Sequence, residues 1–147
     1  DTALKRVILE ENIQYRQDSE EYFQRTQYSA DIIHKEALKW IDSQNGEKPF
    51  FGMLTYTLPH AELVQPNDSL VQYYREKFEN DPDWKAWYGC RYHSTQQTHT
   101  QFAAMVSRLD KYVGEIIDLL KKKGLDRNTI IFFTSDIPFV AKDIRNS

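Results

Sequence analysis

Two nearly uninterrupted apolar runs, at residues 50–57 and 129–134, constrain this chain more than anything else in it. Neither run alternates polar with apolar. A run of that kind suits a strand buried on both faces, as in a parallel sheet. Between them lies the clearest helical pattern, over residues 100–123. Phe102, Met105, Val106, Leu109, Val113, Ile116, Ile117 and Leu120 recur there at three- and four-residue steps, the mark of a core-facing helix stripe. Lys121, Lys122 and Lys123 put positive charge at the C-terminal end of the helix dipole, and Gly124 supplies the residue that turns the chain out of the helix.

An earlier helix opens at Tyr28-Ser29-Ala30-Asp31, with Ser29 as its expected N-cap and Asp31 in the first turn. Ile33, Ala37, Trp40 and Ile41 give it one apolar stripe, and Asn45-Gly46 ends it. A shorter helix is predicted over residues 69–78, followed by a turn at Asn80-Asp81-Pro82-Asp83. Residues 84–97 show no period, and residues 1–27 read as an irregular lead-in with a short strand at Val7-Ile8-Leu9. The order helix, strand, helix, strand predicts an α/β fold: a mainly parallel sheet with helices on both faces, incomplete within this chain. In such sheets ligands bind beyond the carboxyl ends of the strands. His60 stands after the first predicted strand and Asp136 after the second, which makes them the candidate site.

Charge and cysteine content exclude several functions. Nineteen basic against 22 acidic residues leave a net charge of -3, without the basic face of a nucleic-acid or membrane-surface protein. No apolar run approaches the ~20 residues of a membrane span. Cys90 is the only cysteine, so neither an internal disulfide nor a cysteine metal cluster is available, and it reads as an ordinary loop thiol. Tyr73, Tyr74, Phe78, Trp84, Trp87 and Tyr88 read as packing of an irregular region, with a stacking platform for sugar rings as the alternative. His34 reads as a helix residue without a site role. His93 and His99 fall in a loop, with the mouth of a substrate site as the less favoured alternative.

Four pieces of this pattern, in order, resemble the sulfatase family. They are Lys48-Pro49-Phe50-Phe51 with Tyr56-Thr57-Leu58-Pro59-His60; Leu109-Asp110-Lys111-Tyr112-Val113-Gly114-Glu115-Ile116 with Leu119-Leu120; Gly124-Leu125 with Asn128-Thr129-Ile130-Ile131 and Phe133-Thr134-Ser135-Asp136; and Tyr28-Ser29-Ala30-Asp31. The resemblance covers residues 28–136 and is nearest to bacterial sulfatases acting on sulfated sugars. It implies hydrolysis of a sulfate ester by a formylglycine nucleophile. It also implies one calcium ion held by oxygen ligands, and a periplasmic or secreted location. His60 matches the histidine that contacts the sulfate ester near the leaving oxygen, and Asp136 matches a calcium-binding aspartate.

The departures are specific. The nucleophile motif, Cys or Ser followed by x-Pro-x-Arg, is absent, so the formylglycine is expected outside this segment and the segment alone is expected to be inactive. Where the family has Asn-Gly after the aspartate, Ile137 stands here. Ile137-Pro138-Phe139-Val140-Ala141-Lys142 resembles a later family strand, yet no crossover separates it from Thr134. Residues 28–136 are therefore read as an α/β core segment and 137–147 as a later segment after a missing stretch, all within one catalytic domain. The alternatives are a related metal-dependent phosphatase or phosphodiesterase and a non-catalytic sugar-binding remnant.

Overall fold

The computed structural model describes residues 28–60, 63–86, 92 and 94–135. The lead-in with its expected strand, Cys90, His93, Asp136 and the 137–147 segment lie outside the described residues.

The first helix, α1, spans Ser29–Asp42 and starts one residue before the expected cap takes effect. Tyr28 is the N-cap, its carbonyl accepting from the amides of Asp31 and Ile32 at 3.0 and 3.2 Å, and no side chain caps this end. Ala30, His34, Ala37 and Ile41 form the buried stripe at three- and four-residue spacing. Trp40, expected inside, lies at the exposed margin, where its ring meets the Phe50 ring edge-on at 5.6 Å. The helix stops at Asp42, and Gly46 with φ +78° turns the chain shortly afterwards.

The second helix, α2, spans Ser69–Lys77. The Asp68 carboxylate caps it, accepting from the amides of Leu70 and Val71 at 3.1 and 3.2 Å. The third, α3, spans Thr98–Lys122 and starts two residues earlier than its apolar period suggests. Its N-cap Gln97 has a left-handed backbone and no capping side chain. Asp81 does that work from outside the helix, accepting from the amides of His99 and Thr100 at 2.9 and 2.7 Å. At the other end Gly124, with φ +68°, and Leu125 donate to the carbonyls of Lys121 and Leu120, both at 2.9 Å. This closes the helix through paired bonds that satisfy its last carbonyls.

Both shorter helices pack on α3. Ala30 and Leu58 meet Met105 and Tyr112 in one core cluster, with Tyr28, Tyr56, Leu63 and Leu109 around it. Val71 is buried on the α2 side, where the Tyr74 and Ser107 hydroxyls bond at 2.6 Å. The buried face of α3 shares Met105 and Leu120 with the expected stripe but is otherwise rotated from it. Thr100, Ala104, Met105, Arg108 and Tyr112 are inside, whereas Phe102, Val113, Ile116 and Ile117 are half-exposed and Val106 exposed. At 3.6 residues per turn the two faces are offset by roughly 100°. The polar Arg108 is admitted to the core because it is fully paired there, so the apolar pattern does not by itself choose the buried face.

The two predicted strands are not found as strands among the described residues. Residues 50–57 and 129–135 form neither helix nor strand ladder among the described residues, where the only bridge joins Trp84 to Thr95. Phe51 is 87% exposed, Ile130 80% and Phe132 86%. Exposure nevertheless alternates with the period of a strand. Phe50, Leu54 and Tyr56 are more covered than Phe51, Met53 and Thr55, and Ile131 and Phe133 more than Ile130 and Phe132. The helices therefore cover one face of the first segment. A Cβ at Gly52 would lie 2.8 Å from the Trp40 ring, so a larger residue there would push that ring aside. The described residues thus carry three helices and a short 3₁₀ turn, Asp126–Asn128, and the sheet expected between them is not formed among them.

Candidate functional site

The chain around His60 is held from beneath while His60 itself faces outward. Leu58 is buried in the core cluster, the Leu58–Pro59 peptide is cis, and the His60 amide donates to the Thr57 carbonyl at 2.8 Å. This tight turn projects the exposed imidazole beyond the carboxyl end of the 50–57 segment, where the Tyr92 ring lies 6.2 Å away at a 60° tilt. Asp136 lies outside the described residues. Among the described residues no group of three or more His, Cys, Asp or Glu is placed to hold a metal ion. Those residues alone do not fit a metal centre, and no chemical step is derived through one.

Behind the His60 turn runs a polar network that joins all three helices, its His34, Gln65, Arg108 and Tyr112 buried and its carboxylates partly exposed. His34, 4% exposed, sits with Nδ1 2.8 Å from the Tyr56 hydroxyl and Nε2 2.8 Å from Glu115 Oε2. Its ring stacks on Tyr112 at 4.1 Å. The Tyr112 hydroxyl donates to the Asp31 carboxylate. Arg108 lies 3.5 Å from Asp31 and 2.5 Å from the Asp68 carboxylate, and its Nε donates to Gln65 Oε1 at 3.0 Å. Gln65 in turn donates to the Tyr28 hydroxyl at 2.6 Å, and the Arg108 guanidinium lies 5.4 Å from the Tyr28 ring centroid.

Burial raises the Tyr112 hydroxyl far above the ordinary tyrosine range, and its bond to Asp31 reinforces the effect. Burial also raises Tyr56, helped by the nearby Glu115 charge. Burial opposes the Asp68 charge, but the hydrogen bond from Arg108 and the α2 amides outweigh it, and the carboxyl stays below its usual value. Asp81 behaves likewise: burial is overcome by the hydrogen bonds from Thr100 and His99. These groups keep their neutral and charged forms at neutral pH, which suits a fixed scaffold.

Sequence reasoning named His60 as a candidate and did not read the network behind it. Asp68 carried a readable signal as a cap before Ser69. His34 did not, because Glu115 is 81 residues away and no local pattern announces the pair. His99 belongs to the first turn of α3, with Nδ1 3.3 Å from Asp81, and not to a loop. The aromatic residues that are described pack mainly on each other, as expected: Tyr73 on Tyr74 and Tyr74 on Phe78.

Comparison with known proteins supplies the context for this geometry. The family model described as Sulfatase matches residues 1–136. An arylsulfatase of Klebsiella aerogenes is 24% identical, the match covering 74% of this chain and 30% of that protein. An uncharacterized sulfatase of Escherichia coli strain K12 is 33% identical over 74% of this chain and 17% of its own length. An endo-4-O-sulfatase of Bacteroides thetaiotaomicron is 30% identical over 61% of this chain and 18% of its own. The chain thus spans less than a third of each of these relatives.

Proposed function

The chain belongs to the sulfatase family, and on this basis we propose that the whole protein is a sulfuric ester hydrolase, acting on sulfated carbohydrates, for which this segment supplies part of the active site. The observation that carries the reading is the outward-facing His60. It stands on a turn anchored by buried Leu58 at the carboxyl end of an apolar segment, in a chain whose residues 1–136 match the family. Imidazole changes charge near neutral pH, so a histidine at this point can donate a proton to the oxygen that leaves as the ester breaks.

Asp136 is proposed as one oxygen ligand of a single calcium ion, the other ligands and the formylglycine nucleophile lying outside the described residues. The segments 50–57 and 129–134 are proposed as neighbouring parts of one sheet in the whole protein, which sets His60 and Asp136 on the same edge, within a single catalytic domain. A periplasmic or secreted location follows from the family reading. Among the described residues no helix is long and apolar enough to cross a membrane.

The test is turnover of an aryl sulfate by the full-length protein. His60→Ala is expected to lower kcat about 100-fold or more, the range of a lost general acid. The purified 147-residue chain is expected to give no turnover above a buffer blank. Full activity in His60→Ala, or hydrolysis of an aryl phosphate in preference to the sulfate, would overturn the reading.

A further inference from the structure

Tyr56, on the approach to the His60 turn, is tied to the helices by a hydrogen bond to His34. Residues 51–55 are exposed, and burial against the helical body comes at Tyr56 and Leu58. Leu58 is held by apolar packing, which resists withdrawal but gives little direction. Tyr56 is held by a directed bond: its hydroxyl meets His34 Nδ1 at 2.8 Å, four residues before His60. A carboxylate only accepts hydrogen bonds, so Nε2 donates to Glu115 at 2.8 Å. In the neutral imidazole Nδ1 is then the acceptor for the Tyr56 O–H. The Tyr112 ring, stacked 4.1 Å from His34, stops the imidazole from swinging away. Lys111 faces the other Glu115 oxygen at 3.7 Å and completes the relay from α3 through α1 to the turn.

We propose that His34, oriented by Glu115, is a positioning residue that sets His60 through its bond to Tyr56. The inference rests on the reading of His60 as an active-site group. It treats the buried His34 as a part of the catalytic apparatus and not merely as core filler. Two substitutions separate the halves of the relay. Tyr56→Phe removes one hydroxyl and keeps the ring. His34→Asn places an amide oxygen near the Nδ1 position and so keeps an acceptor for Tyr56, while losing the partner of Glu115.

The experiment measures kcat, KM and Tm of the full-length protein on an aryl sulfate, in the native and His60→Ala backgrounds. Tyr56→Phe is expected to lower kcat about five- to tenfold with KM changed less than about twofold, and His34→Asn to fall between it and the native enzyme. A group acting only through another should have no further effect once that other is gone. In the His60→Ala background Tyr56→Phe should therefore leave kcat unchanged. An undiminished kcat in Tyr56→Phe would overturn the proposal. So would equal fractional losses in both backgrounds, or a loss that merely follows a fall in Tm. If His60→Ala itself keeps full activity, the failure lies with the reading of His60, and the proposal falls with it.

Discussion

The helical body and the two apolar segments obey the same hydrophobic rules but reach opposite outcomes. In α1, α2 and α3 every interior backbone group finds its partner within its own helix, so local sequence suffices to form the element. The helices then need only one face covered, and they cover each other around Met105 and Val71. The segments 50–57 and 129–134 have no such self-sufficiency. A strand must borrow its hydrogen bonds from neighbours and, in a parallel sheet, both of its faces from covering layers. Here one face of the first segment meets α1 at Trp40 and His34, while Phe51, Phe132 and their neighbours stand in the open. The contrast teaches that an unalternated apolar run announces a need for partners, and that this need can lie beyond the described residues. Exposed apolar segments of this kind also invite pairing with other chains, so the isolated 147-residue chain is expected to associate and to show no cooperative monomeric transition.

Substitutions in the two regions sharpen the difference. The largest effect is expected at Phe132. If the 129–134 segment is a covered strand in the full-length protein, Phe132→Ala should cost about 3–5 kcal/mol in denaturant unfolding. A change near zero would show that Phe132 is as exposed there as it is here.

Arg108 comes next. Arg108→Met keeps the stem but leaves Asp68 and Asp31 without their cation. Both carboxylates are partly exposed, which reduces the penalty from that of a fully buried pair to about 2–3 kcal/mol. Stability equal to the native protein would mean that the network orients the helices without stabilising them.

The smallest effect is expected at Asp81, where Asp81→Ala should cost about 1–2 kcal/mol by uncapping α3. Because the folded carboxyl is lowered below its unfolded value, its contribution is present above about pH 4 and lost as pH falls through the folded value. Asp81→Asn should therefore flatten the acid limb of a stability–pH curve, with Asp68 leaving a residual slope for the same reason. An unaltered acid limb would remove Asp81 from this role.

What could be read from sequence follows from how far each signal travels. Gly124 and Leu125 close α3 through bonds to carbonyls three and five positions back, so this role is visible in a short window. The stripe of Ala37 and Ile41 is equally local. The buried face of α3 beyond Met105 and Leu120 was not legible, because Arg108 enters the core only through Asp68, Asp31 and Gln65, which other parts of the chain deliver. Asp81 caps a helix that begins 17 residues later in the chain, with a loop and an isolated bridge between them. His60 could be named as a candidate because the end of an apolar run is a local feature. Its support through Tyr56, His34 and Glu115 could not, since it exists only once α1 and α3 are packed.

Backbone hydrogen exchange over residues 51–57 and 130–134 in the full-length protein tests the central claim most directly. Strands buried in a sheet should exchange at least about 100-fold more slowly than unprotected amides, in step with the core of α3. Exchange at the unprotected rate in both segments, with α3 protected, would contradict the claim that they form the sheet edge carrying His60 and Asp136.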